Sequence, residues 1–201
     1  MSLRSITTGI SDVKDSLYIP YPIKPNVIQV GKFRVPEYVT PEETKKCVDR
    51  LIDQIDIAKF DHALVNLQGG AWLFNEYSKR AGPIGIPVHM IQINRPDGGF
   101  GATEVIPVPK KCWGKACIIF EDIYDTGGVI DYIMGNLDPE SLTAVVVDKQ
   151  VEKMPLKYKI LAAMKIEKKW IMGCGMDGGV KGEGRTFRDW AGIVVNPNAD
   201  H

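Results

Sequence analysis

Apolar residues along the chain fall into short runs divided by polar turns, and the period of the runs changes from place to place. Cys47, Leu51, Ile55 and Ala58 recur at helical spacing behind Thr40-Pro41-Glu42-Glu43. Threonine can cap, proline suits a first turn and Glu43 completes a capping box, which predicts a helix from there to about residue 57. Ala63-Leu64-Val65-Asn66-Leu67 is a short apolar run ending in Gln68-Gly69-Gly70, and Ala71 to Arg80 reads as a second helix. Pro87 to Ile93 reads as a strand, and Glu104 to Val108 as its return. Lys115 to Phe120 is an unbroken apolar strand that runs into an acidic loop, followed by a helix from Gly128 to about Asn136. Leu142 to Val147 is the next buried strand, ending in Asp148-Lys149-Gln150; Trp170 to Met172 and Ile193 to Val195 close the series. Strands that alternate with helices and are continuously apolar predict an α/β protein whose parallel sheet is covered on both faces.

Residues 15–39 break this rhythm. Pro20, Pro22, Pro25 and Pro36 stand among Tyr18, Tyr21, Ile23, Val27 and Ile28, so the segment reads as an arm or edge ribbon, unsuited to a central strand.

Charge and composition narrow the picture. The 201 residues are 44% hydrophobic, with 25 basic against 25 acidic side chains. Such a chain can bury one ordinary core, and its balance argues neither for nucleic acid nor for an anionic membrane as a main partner. No apolar run approaches the roughly 20 residues of a membrane span, and residues 1–14 lack the sections of a secretory signal. A cytoplasmic protein is the expectation. Of the four cysteines, Cys47, Cys112, Cys117 and Cys174, none forms a pair spaced by two residues, and no histidine stands in sequence to complete a zinc site. Cys112 and Cys117 read as reduced thiols. Lys157, Lys159, Lys165, Lys168 and Lys169 read as a solvated helix or loop surface.

The chemistry concentrates after the strand at 115–120, in Glu121-Asp122-Ile123-Tyr124-Asp125-Thr126-Gly127-Gly128. Ligands of open parallel sheets sit beyond the carboxyl ends of the strands. The glycines allow close backbone approach, free amides at a helix start attract an anion, and Thr126 adds a hydroxyl, so the second half suits a phosphate. The first half cannot, because Glu121 and Asp122 are acceptors that match sugar hydroxyls or the water of a divalent cation. A phosphate beside a diol and magnesium describes a ribose 5-phosphate.

This segment resembles the phosphoribosyl-pyrophosphate signature of the type I phosphoribosyltransferases, and the chain as a whole is most similar to the hypoxanthine-guanine enzymes over about residues 40–195. The resemblance implies a central, mainly parallel sheet flanked by helices, with a small hood built from terminal segments: an arm over 1–39 and a phosphoribosyltransferase domain over 40–201. It also implies purine salvage by a homodimer or homotetramer that uses Mg2+, and transfer from phosphoribosyl pyrophosphate to hypoxanthine, guanine or xanthine. In it, Gln68, Gly69 and Gly70 form the pyrophosphate loop, with a non-proline cis peptide at Leu67–Gln68 or Gln68–Gly69. Lys149 donates to the 6-oxo group, Trp170 stacks on the purine, and the Ile171 carbonyl accepts from the base edge. Asp177 faces the metal together with Glu121 and Asp122. Arg188, in Phe187-Arg188-Asp189, meets pyrophosphate, with Arg185 as its rival in a stretch longer and richer in glycine than usual. Asp125 is the general base. Two features depart from the family. Gln68 stands where lysine or arginine is common, and the glycine-rich stretch 94–103, read as a mobile lid, lacks the usual Ser-Tyr pair. The other readings left open are a transferase for a different base and a nucleotide-sensing regulator that keeps the fold.

Overall fold

The protein is described by a computed structural model, covering residues 17–20, 22, 25–30, 33–94, 102–151, 158–176 and 190–195. Among the described residues, eleven strands and three α-helices follow one another as β1 Leu17–Ile19, β2 Val27–Val30, β3 Phe33–Val39, α1 Pro41–Asp53, β4 His62–Asn66, α2 Gly70–Ala81, β5 Val88–Asn94, β6 Thr103–Ile106, β7 Cys117–Tyr124, α3 Gly128–Met134, β8 Leu142–Gln150, β9 Lys159–Glu167, β10 Ile171–Met172 and β11 Ile193–Val195. Seven of the strands form one sheet in the order β1-β9-β8-β7-β4-β5-β6. All its neighbours are parallel except β5 and β6.

Helix α1 begins as its sequence dictates: the Thr40 hydroxyl accepts from the Glu43 amide, and Glu43 reaches back to the Thr40 amide at 3.0 Å. It stops at Asp53, short of residue 57, because the Gln54 amide closes the last turn onto Leu51 and Ile52. Ile55 is buried all the same, so the apolar stripe continues after the helix has ended. Helices α1 and α2 cover one face of the sheet, over Val65, Phe120 and Val146. There Phe74 and Tyr77 of α2 both stand 5.4 Å from the Phe120 ring, contacts worth about 0.5–1.5 kcal/mol each beyond area burial. Helix α3 covers the other face with Ile130, Ile133 and Met134 over Leu64, Ile119 and Val145. Central residues Ile118, Ile119 and Phe120 are wholly inaccessible, as a strand covered on both sides must be.

Three readings of the sequence are corrected. Residues 159–167 are strand β9, between β1 and β8, instead of a helix or loop, and Lys157 lies outside the described residues. Lys159 turns outward to Glu140 at 2.6 Å while Ala163, Met164 and Ile166 are buried. Residues 171–172 and 193–195 do not extend the parallel sheet. They pair with each other and with β3 in a separate antiparallel sheet ordered β10-β11-β3-β2. Strand β3, from the proline-rich arm, is therefore internal to that sheet. Pro36 is tolerated because its partner is Val27 of β2, whereas β11 pairs only at Glu37 and Val39; the missing N–H falls where one side of the strand has no ladder. Strand β1, also from the arm, forms the edge of the main sheet against β9.

Candidate active site

Strand β7 does not end at Phe120. Its parallel ladder with β8 runs on through Glu121↔Val145, Ile123↔Val147 and Tyr124↔Asp148, so the acids are carried on the strand itself. That rigid support sets each side chain by the pleat. Glu121 lines the cleft yet is buried, with 6% of its surface exposed. Its carboxylate accepts from Asn66 Nδ2 at 2.5 Å and from the Asp122 amide at 3.1 Å. Burial, and then the neighbouring Asp122 carboxylate, push the Glu121 carboxyl well above the ordinary range. Asn66, at the end of β4, is itself buried and fixed by its amide to both the amide and the carbonyl of Ile93, at 2.8 and 3.1 Å. One asparagine thus ties β4, β5 and β7 together beneath the cleft.

Above these residues opens a cleft of about 550 Å³ at the carboxyl ends of the strands. Its lining holds Gln68 and Gly69, the whole run Glu121 to Gly127, Lys149, Trp170 and Ile171, together with Asn66, Gln92, Asn94 and Met176. Gly70 and Gly128 lie just outside the lining, as the first residues of α2 and α3. Asp177, Arg185 and Arg188, and residues 95–101 of the 94–103 stretch, lie outside the described residues.

The turn after β4 has a cis peptide at Leu67–Gln68. A Cβ on Gly69 would overlap the Asp122 carboxylate, and one on Gly70 would overlap the Phe120 carbonyl. This turn lies directly on β7. The turn after β7 is different: Gly127 adopts φ 95° and leads into α3, with no side chain capping that helix. Between the turns, Lys149 Nζ lies 3.7 Å from Asp125 Oδ2, with 13% and 21% of the two side chains exposed. Lys149 is within β8, opposite Ile166 of β9, and so is held more firmly than a loop lysine.

Trp170 and Ile171 reach the cleft from the second sheet. Trp170 is 42% exposed, and Ile171 begins β10. Beyond them Gly173, Cys174 and Gly175 all have positive φ, at 105°, 52° and 87°. Gly175 approaches so closely that a Cβ there would stand 2.6 Å from the Gly69 carbonyl and 2.9 Å from Trp72 Cβ. The Gly-Cys-Gly bend therefore seats the second sheet on the turn after β4. Tyr124 belongs to the core as much as to the cleft. It is buried, and burial followed by Asp148 pushes its hydroxyl up to about 12.

No family model matches the chain, and no curated protein matches it in sequence. Solved structures match it in architecture. A hypoxanthine phosphoribosyltransferase variant from Trypanosoma cruzi, complexed with the product IMP, is 18% identical and superposes at a TM-score of 0.63, over 80% of this chain and 91% of that one. A hypoxanthine phosphoribosyltransferase from Staphylococcus aureus is 17% identical, at 0.63 over 82% and 94%. The Trypanosoma cruzi enzyme in a study of its C-terminal region, oligomeric state and activity is also 17% identical, at 0.64 over 87% and 94%. The fold is that of the type I phosphoribosyltransferases. At this identity the likeness is one of architecture. Within that phosphoribosyltransferase fold the cleft occupies the strand ends, and the second sheet stands over it as a hood.

Sequence reasoning passed over Asn66, Gln92 and Asn94. Asn66 carried a signal, a lone amide closing an apolar strand, since a buried amide needs designed partners. Gln92 and Asn94 carried none. The reasoning also missed a cluster far from the cleft, where His62, His89 and Cys112 converge.

Proposed function

We propose that the chain is a purine phosphoribosyltransferase that moves the 5-phosphoribosyl group of phosphoribosyl pyrophosphate onto a 6-oxopurine and releases pyrophosphate. The observation that carries this reading is the Asp125–Lys149 pair, 3.7 Å apart, facing one cleft with Trp170 and the two glycine turns. A base and a fixed cation so placed suit a heterocycle with a proton to lose and an oxygen to bind.

In this reading the turn Thr126–Gly128 takes the 5-phosphate through its amides and the Thr126 hydroxyl. Glu121 and Asp122 face the ribose diol. The purine lies against Trp170, with Lys149 donating to its 6-oxo group and the Ile171 carbonyl accepting from its edge. Adenine would set its 6-amino donor against the Lys149 donor, which disfavours it. The bond from carbon 1 of ribose to pyrophosphate breaks, N9 of the base bonds to that carbon, and the N7 proton passes to Asp125. The amides of Gln68, Gly69 and Gly70, with Arg188, receive the charge left on pyrophosphate.

Two adjacent carboxylates at a strand end, one of them hard to ionise beside the other, are a hard-oxygen set that a cation would relieve. They fit Mg2+, with Asp177 as a third donor, and the ion would supply charge neutralisation of the leaving group. Purine salvage in the cytoplasm by a homodimer or homotetramer, without nucleic acid or membrane, completes the proposal, with residues 1–39 and the C-terminal strands as the hood of the 40–201 domain. Among the described residues no helix is long and apolar enough to cross a membrane.

The test is pyrophosphate release from phosphoribosyl pyrophosphate and Mg2+ with hypoxanthine, guanine, xanthine and adenine in turn. Release is expected with at least one 6-oxopurine and at least about tenfold less with adenine, the equivalent of a lost hydrogen bond to a charged group. Release with no base at all would remove the reading.

A further inference from the structure

The opposite end of the sheet carries a second cluster of chemically active side chains, unrelated to the cleft. His62 opens β4, His89 lies near the start of β5, and Cys112 lies in a 3-10 turn ahead of β7. Their ligand atoms all lie within 4.8 Å of one another. The ring nitrogens His62 Nδ1 and His89 Nε2 are 3.2 Å apart, with the ring centroids at 5.2 Å. Two nitrogens bound to one tetrahedral zinc at ~2.0–2.1 Å would stand about 3.3 Å apart. The imidazoles are therefore already at ligand spacing.

We infer that His62, His89 and Cys112 form a zinc site on the amino-terminal rim of the sheet, with solvent as the fourth ligand. Two imidazoles and a thiolate are a borderline-soft set that selects Zn2+ over the Mg2+ that suits carboxylates. The three come from three elements, so one ion would join the start of β4, the start of β5 and the turn that feeds β7. Both histidines are half-buried, which leaves a path for an ion, while Cys112 is fully buried. Zinc would displace the Cys112 thiol proton on binding. Cys117 lies beside Cys112, its sulfur 3.9 Å from the Cys112 carbonyl, and is not among the three side chains whose ligand atoms converge.

A hydrogen bond between the two rings would explain their distance without any ion, and metal titration separates the two. Protein stripped with chelator, dialysed and held in excess Mg2+ to occupy the carboxylates, is titrated with Zn2+ by calorimetry and with Co2+ by absorption. One Zn2+ per chain is expected, and Co2+ should give the visible bands of a tetrahedral ion with a thiolate charge-transfer band. Cys112→Ser and His62→Gln should each weaken Zn2+ by at least about tenfold and alter the Co2+ spectrum. Melting temperature should rise by roughly 5–10 °C at a hundredfold excess of Zn2+ over the wild-type Kd in the wild type, and by about half as much or less in the variants. Should Cys112→Ser fail to fold, His62→Gln at its half-buried position gives the same reading. The site is refuted by a wild type that binds no Zn2+, or by affinity and Co2+ spectrum unchanged in the variants that fold.

Discussion

The turns after β4 and β7 both end in paired glycines, Gly69-Gly70 and Gly127-Gly128, yet the molecule needs them for different reasons. In the first the limit is space. The backbone lies so close to β7 that a Cβ on Gly69 or Gly70 would overlap the Asp122 carboxylate or the Phe120 carbonyl. In the second the limit is torsion, since Gly127 holds φ 95°. A turn limited by space is a contact surface, and it presses Asp122 into position. A turn limited by torsion is set by its own backbone, and this one lies two residues after Asp125. Identical letters in a sequence thus answer to packing in one place and to backbone torsion in the other.

The largest effect expected is at Asp125, beside the torsion-limited turn. Asp125→Asn should lower turnover by about 10²–10⁴-fold while binding phosphoribosyl pyrophosphate nearly as well as the wild type. Steady-state kinetics beside a calorimetric titration reads both, and equal losses in the two would make Asp125 a binding residue. Gly70→Ala comes next. Forcing a methyl against the Phe120 carbonyl should cost about 1–3 kcal/mol in denaturant unfolding, with activity lost alongside. Gly127→Ala should cost about 1–2 kcal/mol, and Gly127→Asn less, because asparagine tolerates positive φ. If asparagine rescues position 70 but not position 127, the two turns have been assigned the wrong way round.

The mildest change is a slope. Burial raises the Glu121 carboxyl in the folded protein, so between the ordinary carboxylate range and that raised value the folded state keeps a proton that the unfolded chain has released. Stability should therefore fall as pH rises through this window in metal-free buffer. Glu121→Gln has no proton to lose, and its unfolding free energy should stay flatter over the same range. A wild type equally flat would mean that Glu121 is ionised in the fold.

The sequence made some of this plain and hid the rest for physical reasons. Helix α1 was legible because its cap is local: Thr40, Pro41 and Glu43 are neighbours, and they act on one another. Strand β7 was legible as an unbroken apolar run, and the acids and glycines behind it carry the sugar-phosphate reading proposed above. Strand β9 was hidden because Lys159-Ile160-Leu161-Ala162-Ala163-Met164-Lys165 mixes lysine and alanine, poor strand formers whose place is set by packing between β1 and β8. The hood was legible only through the family resemblance, because it joins β2 and β3 to β10 and β11, near the two ends of the described chain, and no local pattern reports such pairing. The role of Asn66 depends on Ile93 and Glu121, and the convergence of His62, His89 and Cys112 depends on the register of three separate elements. Contacts of that kind exist only once the chain has folded.

Product identity tests the central claim most directly. With phosphoribosyl pyrophosphate, Mg2+ and hypoxanthine, mass spectrometry should find inosine monophosphate formed one-for-one with pyrophosphate, and at least about a hundredfold less in initial rate when Asp125 is asparagine. Ribose 5-phosphate without nucleotide, or an untouched sugar with every 6-oxopurine, would contradict it.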